Sequence, residues 1–334
     1  MTGGFFATLN AEEKRQIAET TDTLVKLLKD WVPHYPILRP TRIPMAALST
    51  AMAFASAVPR LPAAEYLPLS KMTLWIFGVD DITDERSVSL SEIQRKADNW
   101  YSIARDGTRL RRKPEGRDEL TTILREIRDE LAKAQLFEPL HEQWASSLRD
   151  VLEGILREYR YGQAYTAHGA QTLPILDEYV HYGRCSIGVP LWGLTVLIIQ
   201  GDPAAKENFE LASEAIHYAG AAIRLYNDLQ SYGKEVLEGN INSVIIIENQ
   251  LRAKKDPPAT AAGVLAEAKQ VVLQLADFYA QKCYDLTEQV QAGSRQFQEA
   301  IARTVAFHAY FYQAHDYHLT SLADIYTMFD GQRP

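Results

Sequence analysis

The spacing of apolar residues along the chain is almost entirely helical. In "SEIQRKADNWYSIARDG", the apolar residues from Ile93 to Ala104 recur at intervals of three and four, and Gly107 ends the pattern. No segment shows the alternation expected of a β-strand, and the one candidate, "NSVIIIE" (242–248), lies between predicted helices. The segments with helical spacing are 11–30, 64–80, 88–106, 117–135, 139–164, 173–187, 203–238, 258–290 and 294–318.

The stretch "HYPILRPTRIP" (34–44) is rich in proline and is expected to be extended, because proline restricts the residue before it. The roughly 30 residues that precede it are too few for a separate domain. Many apolar helices of this kind pack as a bundle. We therefore expect one all-α domain over residues 1–334, a helical bundle around a central cavity, with an N-terminal arm of about residues 1–45 packed on it.

Composition narrows the class of function. The chain has 334 residues and a net charge of −8, which argues against a nucleic-acid partner. Two cysteines cannot form a disulfide framework, and "MTGGFFATLN" does not resemble a signal peptide, so we expect a cytoplasmic protein. The longest apolar run, 187–201, is too short to span a bilayer, so no membrane insertion is expected.

Four acidic residues follow the apolar run "LWIFGV": Asp80, Asp81, Asp84 and Glu85. Asp80 and Asp84 lie one turn apart on one helix face, where like charges destabilise a helix by about 0.2–0.5 kcal/mol. A bound Mg²⁺, which takes one or two carboxylates plus water and substrate phosphate, would relieve the repulsion. A solvated helix end with capping acids explains this cluster equally well when it is considered alone.

A second polar cluster lies in "RLYNDLQSYGKEVLEGN" (224–240). Asn227, Ser231 and Glu235 are spaced i, i+4, i+8 and share one helix face. Their amide, hydroxyl and carboxylate oxygens are hard donors that suit Mg²⁺, and the flanking Arg224 and Lys234 suit phosphate oxygens. The alternative, a polar surface of an amphipathic helix, explains one such residue better than three with neighbouring cations.

The two clusters resemble the metal-binding motifs of class I terpene synthases. "DDITDE" resembles the aspartate-rich DDxxD motif, and "NDLQSYGKE" matches the N-D-x-x-S-x-x-x-E motif at every position. The resemblance covers roughly residues 60–320 and implies the all-α fold of that family, a prenyl diphosphate substrate and three Mg²⁺ ions. The implied metal ligands are Asp80, Asp81, Asp84, Asn227, Ser231 and Glu235.

The same resemblance assigns a helix break to "YVHYGRCSIGVPLWG" (179–193). Arg184 takes the place of a diphosphate-sensing arginine, Ile187 that of a linker, and Gly188 that of an effector whose carbonyl faces the cation. Gly188 and Pro190 also favour a break on physical grounds, since glycine frees the backbone and proline removes a hydrogen bond. An ordinary helix kink is the alternative for these two residues.

The C-terminal region departs from the family pattern. Tyr317 matches the tyrosine of an Arg-Tyr pair that binds diphosphate, but Asp316 occupies the place of the arginine. Arg303, His315 or His318 would have to substitute, unless the other cations suffice. The implied diphosphate contacts are Arg184, Arg224, Asn227, Lys234 and Tyr317, and the aromatic residues expected to line the cavity are Trp75, Phe77, Trp192 and Tyr310.

The implied reaction is ionisation of the prenyl diphosphate, followed by cyclisation and by deprotonation or water capture. We expect a C20 substrate, linear or bicyclic, ahead of farnesyl diphosphate, and a homodimer by analogy with the family. A chain-elongating prenyltransferase is the first alternative, although it would carry a second DDxxD motif that this sequence lacks. A metal-binding helical scaffold without catalysis is the second alternative, and it would not need Arg184, Arg224 and Lys234.

Overall fold

The structure is a computed structural model, and it confirms the all-α prediction. It describes residues 5–55, 61–84, 88–107, 118–254, 260–290, 295–313, 315, 321, 323–325 and 327. In the described part every regular element is an α-helix or a short 3₁₀ helix. The α-helices are α1 (Ala11–Trp31), α2 (Ile43–Ala53), α3 (Leu67–Asp84), α4 (Leu90–Asp106), α5 (Glu119–Leu131), α6 (Phe137–His168), α7 (Leu176–Ser186), α8 (Val189–Gln200), α9 (Pro203–Glu207), α10 (Phe209–Glu238), α11 (Ser243–Lys254), α12 (Ala261–Thr287) and α13 (Gln296–Phe311).

Three of these helices, α2, α8 and α11, were not predicted from apolar spacing. Helices α2 and α8 are buried on almost every side, so they lack the polar face that makes a helix visible in a sequence. The strand candidate "NSVIIIE" is the start of α11, where the Asn242 side chain accepts a hydrogen bond from the backbone N–H of Val244 at 2.8 Å. The stretch 34–44 is not simply extended, because it contains a 3₁₀ turn at Pro40–Arg42 and the first turn of α2.

One continuous cluster of buried apolar side chains extends from Phe5 to Ile325 and holds the helices together. Long helices α6 and α10 run through the bundle, and α10 packs against α7, α8, α12 and α13. The segment Leu176–Gln200 is long and apolar enough to span a membrane, yet 83% of its most apolar stretch of 18 residues is buried inside the protein. A helix at the centre of a bundle has the same composition, and α7 and α8 form part of this core.

The N-terminal arm is fixed to the bundle by aromatic and charged contacts. The Phe5 ring packs edge-on against Phe307 of α13 at 5.7 Å. The Arg303 guanidinium contacts Glu13 of α1 at 2.8 Å. Arg303 is therefore bound by the arm, and the suggestion that it contacts diphosphate is not supported by its position.

Candidate active site

Members of both polar clusters of the sequence line one cavity between the helices. The cavity is open at one mouth, and the empty space within it and in its mouth is about 1560 Å³. Asp80 of α3 lines this cavity. Asn227, Ser231 and Glu235, which share one face of α10, line it too, together with Lys234. Tertiary packing thus places Asp80 and the polar face of α10 on one cavity, although they are far apart in the chain.

The α10 donors are oriented by local hydrogen bonds. The Ser231 hydroxyl donates to the backbone carbonyl of Asn227 at 2.9 Å, so its oxygen lone pairs can face a ligand. Glu235 accepts a hydrogen bond from the Asn242 amide at 2.5 Å. Burial, and after it the carboxylate of Asp228, raises the pKa of Glu235 to about 8. A cation bound at Glu235 would offset both effects.

The chemistry of this donor set fits Mg²⁺. Amide, hydroxyl and carboxylate oxygens are hard ligands, and Asp80 adds a carboxylate from the facing helix. Within the described ranges, no three His, Cys, Asp or Glu side chains form a metal-binding group by themselves. Such a site would therefore depend on Asn227 and Ser231 as well as on carboxylates. The side chain of Asp84 lies outside the described residues, as does all of Tyr317.

Asp81 is not positioned as a metal ligand, in contrast to the prediction. Its side chain is 11% exposed and forms ion pairs with Arg42 at 2.8 Å and with Arg39 at 2.9 Å. Arg42 is itself buried, and its guanidinium lies 4.8 Å from the centre of the Phe77 ring. The charge of Asp81 is thus balanced by the N-terminal arm, because on a helix it points about 100° away from Asp80.

Arg224 lines the cavity, and its charge is balanced by two carboxylates in this structure. Its guanidinium is buried and pairs with Glu158 at 3.0 Å and with Asp228 at 2.9 Å, while the Tyr179 hydroxyl accepts a hydrogen bond from its Nε at 2.9 Å. Two carboxylates already balance one positive charge. In this arrangement Arg224 connects α6, α7 and α10, and its contact with diphosphate stays a prediction.

Arg184 lies outside the cavity wall, contrary to the expectation for a diphosphate sensor. Its Nη2 atom is 3.3 Å from Nδ1 of His181. Burial lowers the pKa of His217 on α10, and the charge of Arg184 adds to that effect. The charge of Arg184 also lowers the pKa of Asp150 on α6, although burial raises that pKa overall, whereas Ile187 and Gly188 line the cavity. Lys234 lines the cavity, as predicted for a phosphate contact. Its side chain is 43% exposed, and its Nζ atom lies 3.9 Å from the carboxylate of Glu238.

The predicted helix break is present between α7 and α8. Gly188 has φ 78°, a left-handed conformation, and a Cβ atom at this position would lie 2.8 Å from Cδ1 of Ile76 on α3. The carbonyl of Gly188, however, accepts the backbone N–H of Trp192 at 3.0 Å. Pro190 has no N–H to donate to the carbonyl of Ser186, whereas the carbonyl of Gly188 is engaged by the first turn of α8.

Two of the four predicted aromatic residues line the cavity. Phe77 and Trp192 are on its wall. Trp75 is fully buried elsewhere in the core, where its indole donates to the backbone carbonyl of Leu120 at 2.8 Å. Tyr310 packs against Phe6 of the N-terminal arm, with the ring centres 6.0 Å apart. The predictions for Trp75 and Tyr310 were wrong because helical spacing does not reveal which neighbour a face packs against.

Several wall residues were missed by the sequence analysis. Glu158 lies on α6 between the wall residues Ile155 and Gly162. A carboxylate within an otherwise apolar helix face could have indicated in the sequence that this face lines a functional cavity. Thr304, His308 and Tyr312 follow one another at intervals of four along α13 and also face the cavity. The interval of four was visible in the sequence. The sequence did not show that this face of α13, rather than the face that carries Tyr310, lines the cavity.

The chain matches known proteins over most of its length. Residues 71–268, more than half of the chain, match the sequence model described as "Terpene synthase family 2, C-terminal metal binding". An 81-residue stretch is 35% identical to the chloroplastic cis-abienol synthase of Nicotiana tabacum, and it covers 24% of this chain but only 10% of that protein.

Solved structures share the fold at low identity. The 2-methylisoborneol synthase of Streptomyces coelicolor A3(2), in complex with Mg²⁺ and geranyl-S-thiolodiphosphate, superposes with a TM-score of 0.69 at 15% identity, covering 91% of this chain and 93% of that chain. The SVS_A2 protein from ancestral sequence reconstruction gives 0.64 at 16% identity, covering 88% and 84%. The long family match and the shared helical fold show that the chain belongs to terpene synthase family 2 and has the class I terpene synthase fold.

Proposed function

We propose that this protein ionises a prenyl diphosphate in a Mg²⁺-dependent reaction and converts the resulting allylic cation into a terpene. The convergence of Asp80 with Asn227, Ser231 and Glu235 on one cavity is the observation that carries the proposal. When bound there, Mg²⁺ would neutralise charge on the departing diphosphate. Lys234, at the same wall, adds a cation that suits phosphate oxygens.

The interior of the cavity suits a reactive cation. Ile76, Ile155, Val189 and Ile223 are apolar wall residues that limit contact with water. The indole of Trp192 offers an aromatic face, worth about 0.5–2 kcal/mol to a nearby cation. The face of Phe77 already interacts with Arg42, so Trp192 is the better candidate for this role.

We propose geranylgeranyl diphosphate, or a bicyclic C20 diphosphate, as the substrate ahead of farnesyl diphosphate. Apolar side chains from four helices line the cavity, Ile76 of α3, Ile155 of α6, Val189 of α8 and Ile223 of α10, and they suit a long hydrocarbon chain. The similarity to a stretch of a plant terpene synthase is compatible with this assignment.

The test is incubation with Mg²⁺ and each of geranyl, farnesyl and geranylgeranyl diphosphate. Released diphosphate and hexane-extractable products are measured, with and without isopentenyl diphosphate. Terpene hydrocarbons or alcohols support the proposal. A longer diphosphate formed with isopentenyl diphosphate would instead indicate chain elongation, and no turnover of any substrate would indicate a scaffold.

Matched variants test the metal site itself. Asn227→Ala is expected to abolish diphosphate release while the helix content stays unchanged. Asn249→Ala is the control, because Asn249 is also a half-buried helical amide, bonded to the carbonyl of Ile245 on α11, but does not line the cavity. Full activity of Asn227→Ala would contradict the role of the α10 face.

A further inference from the structure

Asn242 contacts the polar face of α10 without lining the cavity. It is completely buried, and it directly precedes the first residue of α11. Its amide nitrogen Nδ2 donates two hydrogen bonds, to the backbone carbonyl of Asp228 at 2.8 Å and to Oε2 of Glu235 at 2.5 Å. Its Oδ1 atom accepts a hydrogen bond from the backbone N–H of Val244 at 2.8 Å. One side chain thus connects α10 with the first turn of α11.

The orientation of the Asn242 amide is fixed by its partners. A backbone carbonyl and an ionised carboxylate can only accept hydrogen bonds, so both require the NH₂ group of the amide. The backbone N–H of Val244 can only donate, so it requires the amide oxygen. A flip of the amide would disrupt all three hydrogen bonds, and the group is therefore held in one orientation.

The start of α11 is itself anchored to α10. The carboxylate of Asp228 accepts a hydrogen bond from the backbone N–H of Ser243 at 3.0 Å and another from the Tyr179 hydroxyl at 3.0 Å. Asp228 is completely buried, so a movement of Ser243 would leave a buried carboxylate without that donor, which is costly. Asn242 therefore contacts Glu235 from a firmly held position.

Glu235 lies in a part of α10 that has little support of its own. It is in the last turn of the helix, which ends at Glu238, and helix ends fray. The next two residues, Val236 and Leu237, are exposed, so packing contributes little to this turn. Within the described residues the Glu235 carboxylate has one hydrogen bond, at Oε2, so Oε1 can face the cavity that Glu235 lines.

We propose that Asn242 is a positioning residue, which holds the carboxylate of Glu235 so that its other oxygen can bind a divalent cation. The inference rests on the proposed function, since it needs a cation at this site. Partners that hydrogen-bond a metal ligand orient it before the metal binds, and their loss typically weakens metal binding about 10–100-fold. The functional unit in the sequence thus extends seven residues beyond Glu235.

A cap of α11 is the alternative role for Asn242. Asparagine is common at the residue before a helix, where its oxygen accepts a backbone N–H, as Oδ1 does here. That role uses Oδ1 alone and does not account for the two hydrogen bonds from Nδ2. The two roles can be separated, because the first acts through Glu235 and the second acts through the stability of α11.

The test measures the binding of Mn²⁺ in the presence of inorganic diphosphate and without substrate, with free Mn²⁺ followed by electron paramagnetic resonance. Asn242→Ala is expected to weaken binding about 10–100-fold. Asn10→Ala is the matched control, because Asn10 caps α1 by accepting the N–H of Glu13 at 2.9 Å but does not line the cavity. It should bind Mn²⁺ as the parent chain does. Unchanged binding by Asn242→Ala would overturn the inference.

A double variant shows whether Asn242 acts through Glu235. Glu235→Ala removes the carboxylate that Asn242 holds, so the addition of Asn242→Ala should weaken Mn²⁺ binding no further. If the two losses were instead additive, Asn242 would act on the site by a route other than Glu235, and the inference would be wrong.

Asn242→Asp guards against a general loss of folding. It keeps the shape of the side chain and an oxygen that can accept the N–H of Val244, but it replaces the donor by a carboxylate oxygen next to Glu235. Weaker Mn²⁺ binding is expected, with an unchanged circular dichroism spectrum. Binding as tight as in the parent chain, or tighter, would contradict the inference and leave the proposed function intact. No binding of Mn²⁺ by the parent chain would overturn both.

The dependence of diphosphate release on Mg²⁺ gives a kinetic readout of the same role. Asn242→Ala should raise the Mg²⁺ concentration for the half-maximal rate about 10–100-fold, and excess Mg²⁺ should restore most of the parent rate. A lower rate at every Mg²⁺ concentration, with an unchanged half-maximal concentration, would indicate a purely structural role and would refute the proposal.

Discussion

Replacement of Asp81 by Ala is expected to destabilise the fold, although Asp81 stands next to a predicted metal ligand. The carboxylate forms ion pairs with Arg42 at 2.8 Å and Arg39 at 2.9 Å. Arg42 is 2% exposed, so it would remain buried without a counter-charge. The effect of the substitution is therefore on the attachment of the N-terminal arm to α3.

The size of the effect follows from the burial of each partner. Removal of one member of a buried ion pair costs about 3–5 kcal/mol, because the other charge is left uncompensated. The Arg39 side chain is 47% exposed, and its pair contributes only about 0–1 kcal/mol. We therefore expect about 3–5 kcal/mol for Asp81→Ala and about 0–1 kcal/mol for Arg39→Ala.

Urea-induced unfolding, followed by far-UV circular dichroism, measures these differences as shifts of the midpoint at constant slope. Asp80→Asn is the matched control in the same cluster, and it should cost less stability while abolishing diphosphate release. A loss below about 1 kcal/mol for Asp81→Ala would refute the assignment of Asp81 to structure, because the buried charge of Arg42 would then need no partner.

Three further predictions concern the break, the core and the metal. Gly188→Ala should destabilise the fold more than Gly201→Ala. Both glycines have a positive φ, which costs an alanine about 1–2 kcal/mol, but only at Gly188 would the added Cβ also meet Ile76, at 2.8 Å. Unfolding midpoints measure the two losses, and equal losses would contradict the prediction. Trp75→Phe removes the indole donor to Leu120 and should lower stability by about 1–3 kcal/mol without changing the product distribution measured by gas chromatography. Chelation of divalent cations should stop diphosphate release and leave the circular dichroism spectrum unchanged, because an apolar core holds the helices together.

The charges around Arg224 show how neighbours from other parts of the chain change the interpretation of a residue next to a motif. In the sequence Arg224 precedes the α10 triad and looks like a phosphate ligand. In the fold, Glu158 from α6 and Asp228 from the next turn of α10 balance its charge. Arg224 is therefore paired within the protein, and the proposed phosphate cation on this face of α10 is Lys234.

Much of this protein follows from local rules that operate within one helix. Spacing of apolar residues located most of the helices, the intervals of four placed Asn227, Ser231 and Glu235 on one face, and Gly188 with Pro190 marked the break. These features depend on backbone geometry, which repeats every few residues. Helices α2, α8 and α11 escaped detection because uniform burial, or β-branched side chains, removed the local signal.

Tertiary structure alone decided what each face meets. It turned Asp80 to the cavity and Asp81 to Arg42, buried Trp75 against Trp100, and placed His308 on the wall. Adjacent residues on a helix point about 100° apart, and the sequence does not state which direction holds a partner supplied by a distant segment. Ion pairing and burial depend on those distant segments, so the roles of these side chains were settled only when the helices packed together.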